Sequence, residues 1–305
     1  MSEHNRALLA EAAGTFWFFF IGAGAIIADA NGSGGGLGAI ALAHGVTLAV
    51  AVSAFGAISG GHFNPAVTFA LAIAGRHPWS RVPTYWIAQL AGGLLAGFAL
   101  RSVFDFALAA IDKTHLGTPA LANGVSVPVG IGVEALLTIF LVWAVYGTAV
   151  SPFAPRIAGF GIGLTVATDI LMGGPLTGAA MNPARHVATA IPAAFFDNWY
   201  VYWIGPLLGA AIGGLSIRYL FAPASPLSPS LVRDQREFHP DLVDDRQNGE
   251  RAGRAHAEVA ELPARIGRRC RGELAIRARG PHVERHGLRD AVQREIAGEL
   301  EGEVA

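Results

Sequence analysis

The chain has 305 residues, of which 52% are hydrophobic and 15% charged, with a net charge of −1, 39 glycines and one cysteine. Soluble domains carry about 25% charged residues, so this balance excludes an ordinary water-soluble domain, and the near-zero net charge leaves nothing to recruit nucleic acid. The single Cys270 excludes an intrachain disulfide.

The charges are unevenly placed. Up to Ala222 there are 8 of the 22 basic and 8 of the 23 acidic residues, so most of both signs fall beyond it. The chain therefore divides into an apolar body, 1–222, and a charged tail, 223–305, expected to be disordered and cytoplasmic.

A membrane helix needs roughly 20 mostly apolar residues. The first candidate, 7–28, follows a mixed MSEHNR with no small-residue cleavage site after a short apolar core, and reads as a retained span. Further spans are expected at 39–58, 82–103, 129–150, 157–172 and 198–220. Between them, 64–74 and 182–191 are apolar but about half the needed length, which suits re-entrant half-spans. The fold class expected is all-α, with six transmembrane helices and two re-entrant half-helices.

The body repeats itself. Glu11-Ala-Ala-Gly-Thr15 returns as Glu134-Ala-Leu-Leu-Thr138, Asn64-Pro-Ala66 as Asn182-Pro-Ala184, and Tyr85-Trp-Ile as Tyr202-Trp-Ile, at offsets of 123, 118 and 117 in one order along the chain. Three echoes in register indicate duplicated halves, about 7–104 and 129–220. Each half holds three spans, an odd number, so the second enters from the opposite face as an inverted repeat. Arg6, Arg76, Arg81, Arg156 and Arg218 fall on one side, with Lys113 and Arg101 on the other, which predicts both termini in the cytoplasm. Glycines four apart, Gly93/Gly97, Gly159/Gly163 and Gly205/Gly209/Gly213, predict close helix contacts.

Asparagine is a strong N-cap and proline suits the first helical position, so each Asn-Pro-Ala starts a half-helix. Two starts entering from opposite faces bring together partial charges of roughly +0.5 each, which repel cations and protons. The two amides can also donate to a passing water oxygen. One Asn-Pro-Ala is a common turn signal; two at repeat-related positions are specific.

Gly60-Gly-His-Phe-Asn-Pro-Ala-Val67 and Gly178-Ala-Ala-Met-Asn-Pro-Ala-Arg185 resemble the two signature loops of the aquaporin (major intrinsic protein) family. The resemblance covers about 7–220. It implies a homotetramer with a separate pore in each protomer. No eukaryotic sorting signal is evident, so a cell membrane is the expected address. Carried over by spacing, the family's four constriction positions fall on His44, Ile170, Ala179 and Arg185. That set resembles the plant tonoplast-intrinsic group, some of which also pass ammonia or urea, and implies a wider opening than in a strict water channel. His186, where the glycerol branch usually has aspartate, argues against glycerol. Ala179 stands where some members have cysteine, so mercurials are not expected to block there.

Other residues keep two readings. Arg185 is a charge inside the membrane, where charges usually line water or a substrate path rather than snorkel. Gly60, Gly61 and His62 offer carbonyls to a water file or form a structural loop. His44 is a filter group or a core histidine. Glu11 and Glu134 are intramembrane acids, the mark of a proton relay; the resemblance instead implies that each holds its re-entrant loop through backbone N–H groups. Asp169 has no assigned role. His115 with Lys113 reads as a solvent-exposed linker; the alternative, from the resemblance, is a linker histidine brought towards the filter, as in some related channels. In the tail, Arg265-Ile-Gly-Arg-Arg-Cys-Arg271 could touch anionic lipid, though a solvated tail is the simpler reading. No phosphate loop, metal cluster or nucleophile–base set is legible, so neither cofactor nor enzymatic chemistry is expected. The function expected is passive conduction of water, with ammonia, urea or other small neutral solutes as further candidates. The alternatives are a proton-coupled transporter, a glycerol facilitator, or a structural membrane protein that conducts poorly.

Overall fold

The computed structural model describes residues 1–221; the rest of the chain, with the expected tail and its 265–271 basic run, lies outside the described residues. Among the described residues there are helices and turns but no strand.

Helix α1 (Glu3–Ala28) starts at Ser2, whose hydroxyl accepts from Asn5 N at 3.2 Å. It loosens into a wide turn over Asp29–Ser33, and the chain reverses there, with Asp29 Oδ1 accepting from Gly36 N at 2.8 Å. Helix α2 (Gly36–Ser59) ends on Gly60 in the left-handed region, where glycine carries no Cβ penalty. The half-helix α3 (Pro65–Ile73) and span α4 (Val82–Val103) follow. A short α5 (Leu108–Thr114) lies in the linker. The second half runs through α6 (Val127–Val145), α7 (Phe160–Thr177), half-helix α8 (Pro183–Ala193) and α9 (Val201–Leu220).

Five of these stretches are long and apolar enough to cross a membrane, and α9 adds a shorter apolar length, Val201–Ile217. At 1.5 Å per residue α9 extends about 30 Å, the thickness of a hydrocarbon core. The half-helices reach only about half as far.

The span expected at 129–150 is continuous from Val127 to Val150, α-helical to Val145 and π-helical over Tyr146–Val150. Two expected boundaries need correction. The span placed at 157–172 runs instead from Phe160 to Thr177. Pro175 sits in the last turn, and the helix stops only at the left-handed Gly178. Gly173 lets α7 lie close on Leu137, where a Cβ would come within 2.5 Å of its side chain. The last span begins at Val201 rather than 198. Helix α5 was not legible at all.

The packing repeats as the sequence does. Helix α1 packs on α4 as α6 packs on α9; α1 packs on α2 as α6 packs on α7. Each half-helix lies on the last span of the other half, α8 on α4 and α3 on α9, while α2 and α7 meet at the seam. Repeat-related small residues make these crossings possible. A methyl on Gly92 would overlap the Ala12 carbonyl, and one on Gly209 the Ala135 carbonyl. At the seam, Gly163 faces the Gly45 carbonyl and Gly45 that of Gly163. All seven glycines expected at helix contacts are at them, because van der Waals packing needs backbones close where lipid supplies no hydrophobic contrast.

Candidate functional site: the junction of the two half-helices

Each half-helix begins with an asparagine in extended backbone followed by proline at the first helical position. Asn64 Oδ1 accepts from Ala66 N at 2.8 Å, and Asn182 Oδ1 accepts from Ala184 N at 3.0 Å. Because each oxygen is held by a backbone N–H, the amide nitrogen must point the other way. Asn64 Nδ2 donates to the Met181 carbonyl at 2.9 Å, and Asn182 Nδ2 donates to the Phe63 carbonyl at 3.0 Å. The two loops therefore clasp one another. Each amide carries two hydrogens and gives one to the clasp, so one remains for a molecule at the junction. Pro65, Ala66, Pro183 and Ala184 are buried behind the asparagines as the first residues of the half-helices.

The loops leading into the asparagines are matched residue for residue. Gly60, Gly61 and Phe63 have positive φ, as do their repeat partners Gly178, Ala179 and Met181. Three of these six are not glycine, and a left-handed L-residue costs about 1–2 kcal/mol. The buried acids supply the compensation. Glu11 accepts from Ser59 Oγ, His62 N, Phe63 N and Gln89 Nε2 at 2.7–2.9 Å. Glu134 accepts from Thr177 Oγ1, Ala180 N and Met181 N at 2.7–2.9 Å. Both acids are 0% exposed. Tyr85 and Tyr202 add a matching pair, donating to the carbonyls of Ser59 and Thr177.

A narrow cavity of about 20 Å³ lies at the junction and is lined by Asn64, Asn182, Gly61, His62, Phe63 and Met181. The four positions carried over as a constriction, His44, Ile170, Ala179 and Arg185, line it too. One water needs about 10–15 Å³, so the space holds one or two waters and nothing broader. Apolar walls from Phe18, Leu48, Val67, Leu141, Val166 and others complete it. A wider cavity, about 520 Å³, adjoins Gly60, Gly61, His62 and Arg76.

His44 is 3% exposed, and its Nδ1 lies 2.9 Å from the Ile40 carbonyl. A carbonyl only accepts, so Nδ1 carries the hydrogen, and in the neutral ring Nε2 is left as an acceptor. His62 is fixed by similar logic. Thr68 Oγ1 donates to the Asn64 carbonyl and accepts from Gln89 Nε2, so it accepts from His62 Nδ1 at 3.1 Å as well. Arg185 is 4% exposed; Nη2 donates to the Gly117 carbonyl at 2.9 Å, and Nη1 reaches Thr189 Oγ1 at 3.5 Å. The lining thus combines donors from Arg185 and the asparagines with acceptors on two imidazoles.

Sequence reasoning missed several of these partners. Gly117 belongs to the linker read as solvent-exposed. His115 is exposed, but Leu116 and Gly117 are buried and bring a carbonyl to Arg185. Gln89 and Thr189 carried no signal beyond a polar residue inside an apolar helix. His186 is buried, stacked on Tyr202 at 4.7 Å and 12°, and does not line the cavity. Asp169 is 5% exposed, with Oδ2 lacking a partner, and does not line it either. In the turn after α3, His77 packs edge-on against Tyr85 at 4.6 Å and His62 at 4.9 Å. Burial pushes His77 down to about 4, with His62 adding to the shift, Glu11 opposing it and Arg81 adding to it.

Comparison with known proteins agrees with this geometry. The family model described as major intrinsic protein matches residues 1–217. The chain is 42% identical to the protein named probable aquaporin TIP3-2 of Arabidopsis thaliana, covering 72% of this chain and 85% of the relative. It is 41% identical to aquaporin TIP4-4 of Zea mays (76% and 93% covered) and 39% identical to aquaporin-8 of Mus musculus (72% and 83%). Among solved structures, the aquaglyceroporin from Plasmodium falciparum superposes with a TM-score of 0.64 at 19% identity, over 72% of this chain and 98% of that one. That likeness speaks to the fold alone. On the family match and these identities, the chain belongs to the major intrinsic protein family.

Proposed function

We propose that this chain is a passive membrane channel for water, with ammonia and urea as further permeants. The observation that carries the reading is the reciprocal clasp of Asn64 and Asn182, which leaves one amide hydrogen from each at the narrow part of the cavity. A water whose oxygen accepts from both turns its own hydrogens away from the junction. It then cannot hand a proton along the file. The half-helix starts add partial positive charge at the same place, against cations.

In this reading His44, Ile170, Ala179 and Arg185 are the selectivity filter, and the Gly60–His62 loop lines the half-pore next to the wider cavity. Residues 1–222 form the channel domain, built from halves at about 7–104 and 129–220. The protein is a homotetramer in a cell membrane, with both termini cytoplasmic; the arginines at Arg6, Arg76, Arg81 and Arg156 support that orientation. A gradient-coupled transporter is less well supported, because Glu11 and Glu134 are occupied by fixed donors and Asp169 is off the cavity wall.

Stopped-flow light scattering on proteoliposomes tests the proposal. Water, ammonia and urea should equilibrate faster than in empty vesicles with no pH gradient applied, and glycerol should lag behind urea. Solute entry that requires a proton gradient, or glycerol outpacing urea, would contradict it.

A further inference from the structure

Among the described hydrogen bonds the Arg185 guanidinium has two acceptors of unequal kind. Thr189 Oγ1, at 3.5 Å, is at the limit of a hydrogen bond and rides on the same helix one turn later. The Gly117 carbonyl at 2.9 Å is the one that fastens the guanidinium to another element. Where that carbonyl stands decides where the charge of Arg185 stands.

The Gly117 carbonyl is presented by an unusual turn. His115, Leu116 and Gly117 are three successive residues at positive φ, 47°, 58° and 73°. Two of them are not glycine, and such a turn persists only where its surroundings hold it. Leu116 is held by burial among Ala23, Ile27, Leu100 and Ile111. His115 is held differently: its exposed ring lies flat on Phe195, with centroids 3.8 Å apart and planes 4° from parallel. Phe195 follows the end of α8, its N–H bonded to the Ala190 carbonyl at 3.0 Å. Helix α8 is the one that begins at Pro183 and carries Arg185. The linker turn is thus fastened to α8 at both ends, by the stack beyond its last turn and by Arg185 in its first.

We propose that the His115–Phe195 stack is a positioning clamp that keeps the Gly117 carbonyl on Arg185 and so helps set which solutes pass. This rests on the assignment of Arg185 to the constriction. Without the stack the turn relaxes, the guanidinium loses its cross-element acceptor, and the opening admits wider neutral solutes. The leucine of the turn stays buried in either case, so the fold does not depend on the clamp.

The test compares urea and water permeability of the full chain in proteoliposomes for His115→Ala, Phe195→Ala, His115→Phe and Arg185→Val. Each alanine variant should keep wild-type water flow and raise the urea-to-water ratio about threefold, the scale of one lost net hydrogen bond. His115→Phe keeps a flat ring and should restore the wild-type ratio. Arg185→Val should raise the ratio further, and adding His115→Ala to it should change nothing more. If Arg185→Val raises the ratio while both alanine variants leave it at wild type, the clamp is overturned. If Arg185→Val itself leaves the ratio unchanged, the constriction assignment fails, and the clamp with it.

Discussion

Asn64 and Asn182 each use one side chain for three tasks: capping a half-helix, clasping the opposite loop, and leaving a single hydrogen at the cavity. None of this survives a change of polarity in the loop that presents them, which makes Glu134 the residue to test. Glu134→Leu strands two buried backbone N–H groups, at about 1–3 kcal/mol each, and leaves Thr177 Oγ1 only the Gly173 carbonyl at 3.5 Å to donate to. Thermal unfolding in detergent should show a large loss of stability, and an unchanged midpoint would refute the loop-anchoring role. At the proposed constriction, His44→Phe removes the acceptor left at Nε2 and should lower ammonia relative to water permeability; an unchanged ratio would count against His44 as a filter group. The left-handed Ala179 lines the cavity without a thiol, so wild-type flow should resist mercurials, while Ala179→Cys should become sensitive and recover with a thiol reductant. His77 adds a pH term. Its folded value, about 4, lies below the ordinary 6.5, so the folded state binds fewer protons between those values. Stability should therefore be full above about pH 6.5 and fall as the pH drops towards 4, and His77→Phe should flatten that part of the profile.

At the scale of elements, most of the fold was legible because membrane helices announce themselves by length and apolarity, and the inverted repeat by three offsets in register. The half-helices were legible for a local reason: Asn-Pro specifies cap and first position together. What escaped were features decided by contacts across the repeat. Helix α7 runs on past Pro175, with Gly173 packed on Leu137, and stops at the left-handed Gly178; neither contact nor cap is visible in a hydropathy window. The Gly117 carbonyl was invisible because backbone acceptors carry no side-chain signature. Positive φ at Phe63, Ala179 and Met181 runs against local preference and is intelligible only once Glu11 and Glu134 are seen to hold the loops. The glycine crossings give an element-scale prediction. Gly209→Val drives a side chain into the Ala135 carbonyl on α6, whereas Gly132→Ala meets nothing within 4 Å. The first should abolish recovery of folded protein, and the second should leave the unfolding free energy within about 0.5 kcal/mol of wild type.

For the whole molecule, the two halves are not equivalent in chemistry even though they are matched in backbone. The first loop carries His62, its tautomer set by Thr68; the second carries Ala180 at the same place and Arg185 beyond the asparagine. The cavity is therefore acceptor-rich on one side of the clasp and combines a fixed charge with an imidazole on the other, around a junction that offers only donors to oxygen. Under the proposed function, fast water movement and refusal of protons both follow from that one arrangement. The measurement that tests it most directly records water and proton flux in the same proteoliposomes, by osmotic light scattering and an enclosed pH-sensitive dye. Water flow well above that of empty vesicles, with proton entry no faster than through lipid alone, is the result this arrangement demands. Proton entry that rises in step with water flow would contradict it.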